Sequence, residues 1–174
     1  MKKVTAILLA LLLIASALPA FALSRNFSAV KINEFMASNG VTLKDSLGET
    51  PDWVELHNIS EEDIDLEGLC LSDGKKTLDK FVFPAGVTLP ANGYMIIFCS
   101  DTEKVETLAD GTVEIHTAFK LSAAGEKVVL SYQGVILDTV RFDQQQKDVS
   151  YALKEDGTWA FCDTPTPGAA NRFE

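Results

Sequence analysis

At 174 residues, with 15 basic against 25 acidic side chains and a net charge of −10, the chain has the length of one domain with its own core. An acidic surface repels phosphate backbones and anionic lipid, so nucleic acid is a poor partner. Three cysteines, Cys70, Cys99 and Cys162, are too few for a disulfide scaffold, and apolar burial has to hold the fold.

Lys2 and Lys3 open a basic segment, residues 4–18 form an apolar run, and Pro19 breaks it before Ala20-Phe21-Ala22, a small-x-small cleavage pattern. This is the layout of a secretory signal peptide, residues 1–22. The alternative is an uncleaved anchor, but the run is short of the roughly 20 residues a spanning helix needs. Leu23, not the cysteine a lipoprotein anchor requires, stands directly after the cleavage point. The expectation is a protein exported to the cell envelope or the medium, touching membrane only through its leader. Without the two leader lysines the net charge is −12.

Val30-Lys31-Ile32-Asn33-Glu34-Phe35-Met36 alternates with period 2 and reads as the first strand. Residues 37–50 form a polar loop, and long loops often carry function. Asp52-Trp53-Val54-Glu55-Leu56-His57-Asn58 reads as a half-buried strand beside the first, with Val54 and Leu56 on one face and Trp53, Glu55 and His57 on the other. Glu61-Glu62-Asp63-Ile64-Asp65 reads as a solvated turn; it lacks the spacing and central glycine of a calcium loop. Short strands follow at Leu69-Cys70-Leu71 and Lys80-Phe81-Val82-Phe83, with a fragment at Val87-Thr88-Leu89 and a tight turn at Asn92-Gly93. Tyr94-Met95-Ile96-Ile97-Phe98-Cys99 is apolar on both faces and belongs inside a sheet. Residues 102–113 read as an acidic loop, and Ala118-Phe119-Lys120-Leu121 as the start of the next ordered stretch.

Val128 to Tyr132 and Val135 to Val140 flank Gln133-Gly134, a hairpin connection by length, and Val149 to Leu153 and Trp159 to Phe161 flank Asp156-Gly157, a second hairpin with a longer loop. Thr164-Pro165-Thr166-Pro167-Gly168 has two prolines, which remove ladder donors, and reads as an extended closing segment. No helical stripe follows residue 22, so the pattern is all-β, a sandwich or barrel. Phe81, Phe83, Phe98 and Phe119 are expected in the core. Trp53 and Trp159 are expected there too, with stacking on sugar rings as the alternative.

Several motifs occur in order: Ile32-Asn33-Glu34, Asp52 to Asn58, Asp65-Leu66-Glu67-Gly68, Leu71-Ser72-Asp73, Leu89-Pro90-Ala91-Asn92-Gly93-Tyr94 and Phe119-Lys120-Leu121-Ser122. Asp163-Thr164-Pro165-Thr166-Pro167-Gly168-Ala169-Ala170-Asn171 ends the set. Together they resemble a lamin tail domain of the bacterial, exported kind, over residues 30–171. An extension at 23–29 precedes it and a tail at 172–174 follows. The resemblance implies an immunoglobulin-like β-sandwich, in which Trp53, Leu56, Gly68, Pro165 and Gly168 have structural roles. Leu69 departs from it, standing where many relatives carry Trp.

No catalytic set is legible. His57 and His116 are the only histidines, and no Gly-x-Ser-x-Gly elbow occurs. Glu34 and Glu55 would be neighbours if their strands pair, and a carboxylate pair can do acid–base work. The resemblance makes them instead part of a shared pattern that ties strands to loops. Glu34, Asp52 and Glu55 are therefore the candidate binding residues, and no catalytic, metal or cofactor-binding residue is assigned. The expected function is a non-catalytic binding or adhesion module with protein or cell-surface partners, Ca²⁺ being the one cofactor its acidic face would suit. The alternatives are a self-assembling envelope protein and a hydrolase acting through Glu34 and Glu55.

Overall fold

The computed structural model describes residues 25–74 and 76–173, so the leader assigned to residues 1–22 lies outside the described residues. A 3-10 turn at Phe27–Ala29 leads into thirteen strands among the described residues. They are β1 (Val30–Met36), β2 (Asp52–Asn58), β3 (Ile64–Asp65), β4 (Leu69–Ser72), β5 (Phe81–Val82), β6 (Thr88–Leu89) and β7 (Tyr94–Cys99). After these come β8 (Lys104–Thr107), β9 (Val113–Thr117), β10 (Glu126–Tyr132), β11 (Val135–Phe142), β12 (Ser150–Leu153) and β13 (Trp159–Cys162).

The strands form an immunoglobulin-like β-sandwich. One sheet has seven strands in the order β13-β12-β1-β2-β7-β9-β8; the other has four, β11-β10-β4-β5; β3 and β6 make a separate ribbon. All pairings are antiparallel except β7 with β9. Period-2 alternation fills the space between the sheets. Ile32 and Phe35 of β1, Val54 and Leu56 of β2, Ile97 of β7 and Ile115 of β9 meet Leu69 and Leu71 of β4 and Val128 and Leu130 of β10, all with essentially no exposure. Each such side chain stabilises the fold by about 1.5–3 kcal/mol. Leu69, the departure from the lamin-tail pattern, is fully buried in this core.

Both expected hairpins form, β10–β11 and β12–β13. Gln133 and Gly134 have φ of 48° and 79°, the pair of positive angles a two-residue turn needs to match the strand twist. Gly125 is required for a different reason: at φ 104°, an added Cβ would lie 2.8 Å from the Phe142 carbonyl oxygen.

The sequence reading needs correction in three places. The β2 strand is buried on both faces, not one: Trp53 packs with Met36, Phe98, Leu43 and Ile96 in a second apolar cluster outside the sandwich. Leu43 belongs to the 37–51 excursion, which folds back over the sheet. The indole N–H of Trp53 is buried there and finds no acceptor among the described residues. Residues 102–113 are not simply a loop, since β8 and β9 make a hairpin whose register runs from Lys104↔His116 to Thr107↔Val113. The ordered stretch starts at Val113, and residues 118–121 lie beyond it without strand structure. Finally, Ile64 in the acidic stretch is fully buried and pairs with Leu89, so only Glu61, Glu62 and Asp63 form the solvated turn.

Candidate functional site

Alternation sends Glu34 and Met36 of β1, Trp53, Glu55 and His57 of β2, and Tyr94, Ile96 and Phe98 of β7 to the outer face of the large sheet. Three different things happen to that face. The excursion covers the Trp53 cluster, the closing segment covers Glu34 and Glu55, and His57 with Tyr94 is left at an open cleft.

Glu34 and Glu55 are directly paired across β1 and β2, at a register shift that bulges Asn33 out of the ladder. Both are fully buried. Ser150 Oγ donates to Glu34 Oε1, and the Thr166 hydroxyl donates to Oε2 at 3.1 Å, with the Thr166 N–H 3.2 Å from both oxygens. Glu55 accepts from Asn33 Nδ2 at 2.7 Å on Oε1 and from the Gly168 N–H on Oε2. Asn171 closes the network, donating to the backbone carbonyls of Asn33 at 2.9 Å and Leu153 at 2.8 Å. These bonds join β1 and β2 to β12 and the closing segment.

Burial disfavours the charged form of both carboxyl groups, and no cation joins them among their hydrogen-bond partners. Burial pushes Glu55 up to about 7, against the Gly168 and Asn33 donors and with some help from the Glu34 charge; Glu34 is raised as well. Two such groups titrate as a pair. The partners decide where a shared proton sits. Glu55 faces an amide N–H₂ and a backbone N–H, which only donate, whereas Glu34 faces two hydroxyls, which can turn and accept. Glu34 also meets the Thr166 N–H, yet its two hydroxyls make hydrogen bonding favour a shared proton there, while burial pushes hardest on Glu55.

Asp52 is not part of this group. It lies at the start of β2, accepts from the Asn39 N–H at 3.2 Å, and is raised by burial against that bond. It anchors the excursion, as do two residues that sequence reasoning did not single out. Asp148 Oδ1 accepts from the N–H of Gly40 at 2.6 Å and of Val41 at 2.8 Å. Glu114 takes the N–H and hydroxyl of Ser46, both at 2.7 Å.

Glu114 also meets His116 Nε2 at 3.1 Å, and His116 Nδ1 lies 3.0 Å from Ser100 Oγ. The order Ser100, His116, Glu114 has the outline of a nucleophile, base and orienting carboxylate. Two neighbouring backbone donors are already engaged, the Asp101 and Thr102 N–H groups going to the Phe119 and Thr117 carbonyls. The signal that would have found it is the alternation Val113-Glu114-Ile115-His116-Thr117, hidden by the acidic composition before it.

Trp53 and Leu56 are fully buried, Gly68 takes φ 81°, Pro165 is half-buried in the closing segment, and Gly168 takes φ 82° there while donating to Glu55. Trp159 is half-buried, packing on Phe35 and Tyr151. Cys70, Cys99 and Cys162 are buried free thiols. Among the described residues no group of three or more His, Cys, Asp or Glu side chains is arranged to hold a metal ion.

The cleft left open has a volume of about 690 Å³. His57 and Tyr94 stack on its wall, ring centroids 4.2 Å apart and 10° from parallel. Phe173, with the Lys154 ammonium 5.3 Å from its ring centre, stands on another side, and Glu155 and Asp156 are on the rim.

No curated protein matches this chain. The model of one family, described as Lamin Tail Domain, matches residues 24–144, from just ahead of the 3-10 turn to just past β11. The β12–β13 hairpin and the segment that caps Glu34 and Glu55 follow that stretch. With more than half its length matched and an immunoglobulin-like sandwich as its fold, the chain belongs to the lamin tail domain family.

Proposed function

We propose that this protein is an exported, non-catalytic binding or adhesion module that works through protein or cell-surface contacts. One observation carries the reading: every oxygen of Glu34 and Glu55, the carboxylates best placed for acid–base work, is hydrogen-bonded within the fold. A general acid or base has to reach a substrate proton, and here Thr166 and Gly168 occupy the positions a substrate would need. The family supports it as well, since its immunoglobulin-like domains often mediate interactions.

The test pairs capture with turnover. The immobilised full chain is exposed to envelope and medium fractions of the producing cell, with and without a Ca²⁺ chelator, and separately to a panel of ester, glycoside and phosphoester substrates. Saturable capture without turnover is the expected result. Turnover lost in Glu34→Gln or Ser100→Ala would overturn it.

Self-assembly is a second reading, favoured by one feature. The edge strand β11 is eight residues long and carries Val135 and Ile136 exposed, and an open edge of this kind can pair with another chain. A monomeric elution volume at high concentration would remove it.

A further inference from the structure

Tyr94 borders two clefts, not one. On one side is the 690 Å³ space already described; on the other is a space of about 540 Å³ floored by Ile96 and Phe98 and running to the tip of the β8–β9 hairpin. Both share Tyr94 as a lining residue, which puts them side by side along the outer face of the large sheet.

The paired clefts have a consistent electrostatic character. Glu155 and Asp156 stand at one end and Asp45 and Asp110 at the other, against Lys154 and Lys44; Glu114 beneath is already engaged by Ser46 and His116. Lys154 already lies over Phe173. Asp110 and Asp156 each use Oδ1 to hold their own turns, through the Thr112 and Thr158 N–H groups, and both are held below their ordinary values by those bonds, so they are ionised. At the middle, burial lowers His57, leaving a neutral ring that does not repel a cation.

The occupant this suits is positively charged and long. A guanidinium is planar, weakly hydrated and stacks on aromatic faces, and the Tyr94–His57 pair offers such a face between two acidic ends. A neutral sugar would find the stack but few hydrogen-bonding groups. The amides of Asn33 and Asn171 at the floor are occupied with each other and with the carboxylate network. Ile96, only partly buried beside Tyr94, adds an apolar contact for a side chain of an extended segment.

We propose that the paired clefts beside Tyr94 bind an extended, cationic polypeptide segment, with an arginine laid on the Tyr94–His57 stack and flanking cations paired with the carboxylates at either end. This rests on the interaction-module reading above and names the surface and the chemical class of its partner.

The probes are four: an octapeptide alternating arginine and valine, the same peptide with lysine, the same with glutamate, and a neutral β-linked glucan hexasaccharide. Binding to the isotopically labelled full chain is followed by amide chemical shifts at 150 mM salt. The arginine peptide is expected to bind about threefold or more tightly than the lysine peptide, with shifts centred on Tyr94, His57 and Glu155. Tyr94→Leu, which keeps an apolar side chain, should weaken it about fivefold to tenfold. Glu155→Gln with Asp156→Asn should weaken it too, whereas Glu61→Gln with Glu62→Gln, an equal charge change at the remote solvated turn, should not.

Equal losses from the two charge pairs, an unaffected Tyr94→Leu variant, or a preference for the glucan would each overturn the proposal. If the peptides fail while the chain still captures a partner through another face, the cleft assignment falls and the module reading stands. If capture fails as well, both fall.

Discussion

Asn33 and Asn171, 138 positions apart, hydrogen-bond to each other in both directions: Asn33 Nδ2 donates to Asn171 Oδ1 at 3.0 Å, and Asn171 Nδ2 to Asn33 Oδ1 at 3.2 Å. Each amide then serves a second purpose. Asn33 supports Glu55, and Asn171 accepts from the Thr166 hydroxyl that supports Glu34. The first strand and the last described turn are thereby joined through one polar network.

Removing the keystone should be costly. Asn171→Ala strands the Leu153 and Asn33 carbonyls and withdraws a partner from Thr166. Leaving buried polar groups unpaired costs about 1–3 kcal/mol, so a fall of about 2–3 kcal/mol is expected in urea unfolding. A loss below about 0.5 kcal/mol would mean that water replaces the asparagine.

The two carboxylates should respond differently to amide substitution. In Glu34→Gln the new N–H₂ meets hydroxyls of Ser150 and Thr166 that can accept, so stability near pH 7 should change by less than about 1 kcal/mol or rise. In Glu55→Gln the new N–H₂ is set against an amide donor or a backbone N–H, a clash of donors expected to cost about 2 kcal/mol or more. Thermal unfolding of the two variants decides it, and equal effects would refute the proton assignment.

Stability should decline as pH rises through the range between the ordinary glutamate value of 4.5 and about 7. Within that window the folded protein holds a proton on the pair that the unfolded chain has released, so folding takes up protons and alkali opposes it. The shift corresponds to about 3 kcal/mol, complete below about pH 4.5 and gone above about pH 7. Glu55→Gln should flatten the slope.

The excursion should respond in the opposite sense. The Val41 and Gly40 N–H groups lower Asp148; at Glu114 burial pushes upward, but the Ser46 and His116 bonds prevail and lower it. A depressed carboxylate stabilises above its unfolded value and stops doing so as pH falls through its folded one. Below about pH 4 the 37–51 segment should therefore release first, exposing Trp53. A red shift in tryptophan emission before far-ultraviolet circular dichroism changes would show it, and coincident transitions would count against it.

The thiols should be silent in the folded state. Burial raises Cys99, Cys70 and Cys162 alike, disfavouring the thiolate that reacts. Ellman's reagent should label none within minutes under native conditions and all three in denaturant. A native disulfide dimer on a non-reducing gel would contradict this.

The fold was legible wherever the evidence was local. Alternation located β1, β2, β10 and β11, and the Gln133-Gly134 and Asp156-Gly157 turns located both hairpins. Pairing of Glu34 with Glu55 followed from strand adjacency alone. The outer face of β2 was not legible, because Leu43 and Gly168, which lie against it, come from segments with no periodicity of their own. The Ser100–His116–Glu114 cluster was hidden for a similar reason. Its members lie on either side of a hairpin whose acidic composition resembles a loop.

The arrangement of the large sheet has a consequence for a chain made from its amino end. Strand β1 is among the first segments to emerge and gains β2 on one side early, but its other neighbour, β12, is encoded more than a hundred positions later. Until Ser150 to Leu153 has left the ribosome, β1 is an open edge, and Glu34 waits still longer for Thr166. Contacts of such long range form slowly and leave the nascent chain exposed to wrong pairings. A chain exposed only as far as residue 144 would present the whole stretch matched by the family model with its first strand half paired and its two buried acids uncapped. Completion of the domain is thus governed by its last thirty residues or so, and a helper that shields β1 would act during synthesis of that final segment.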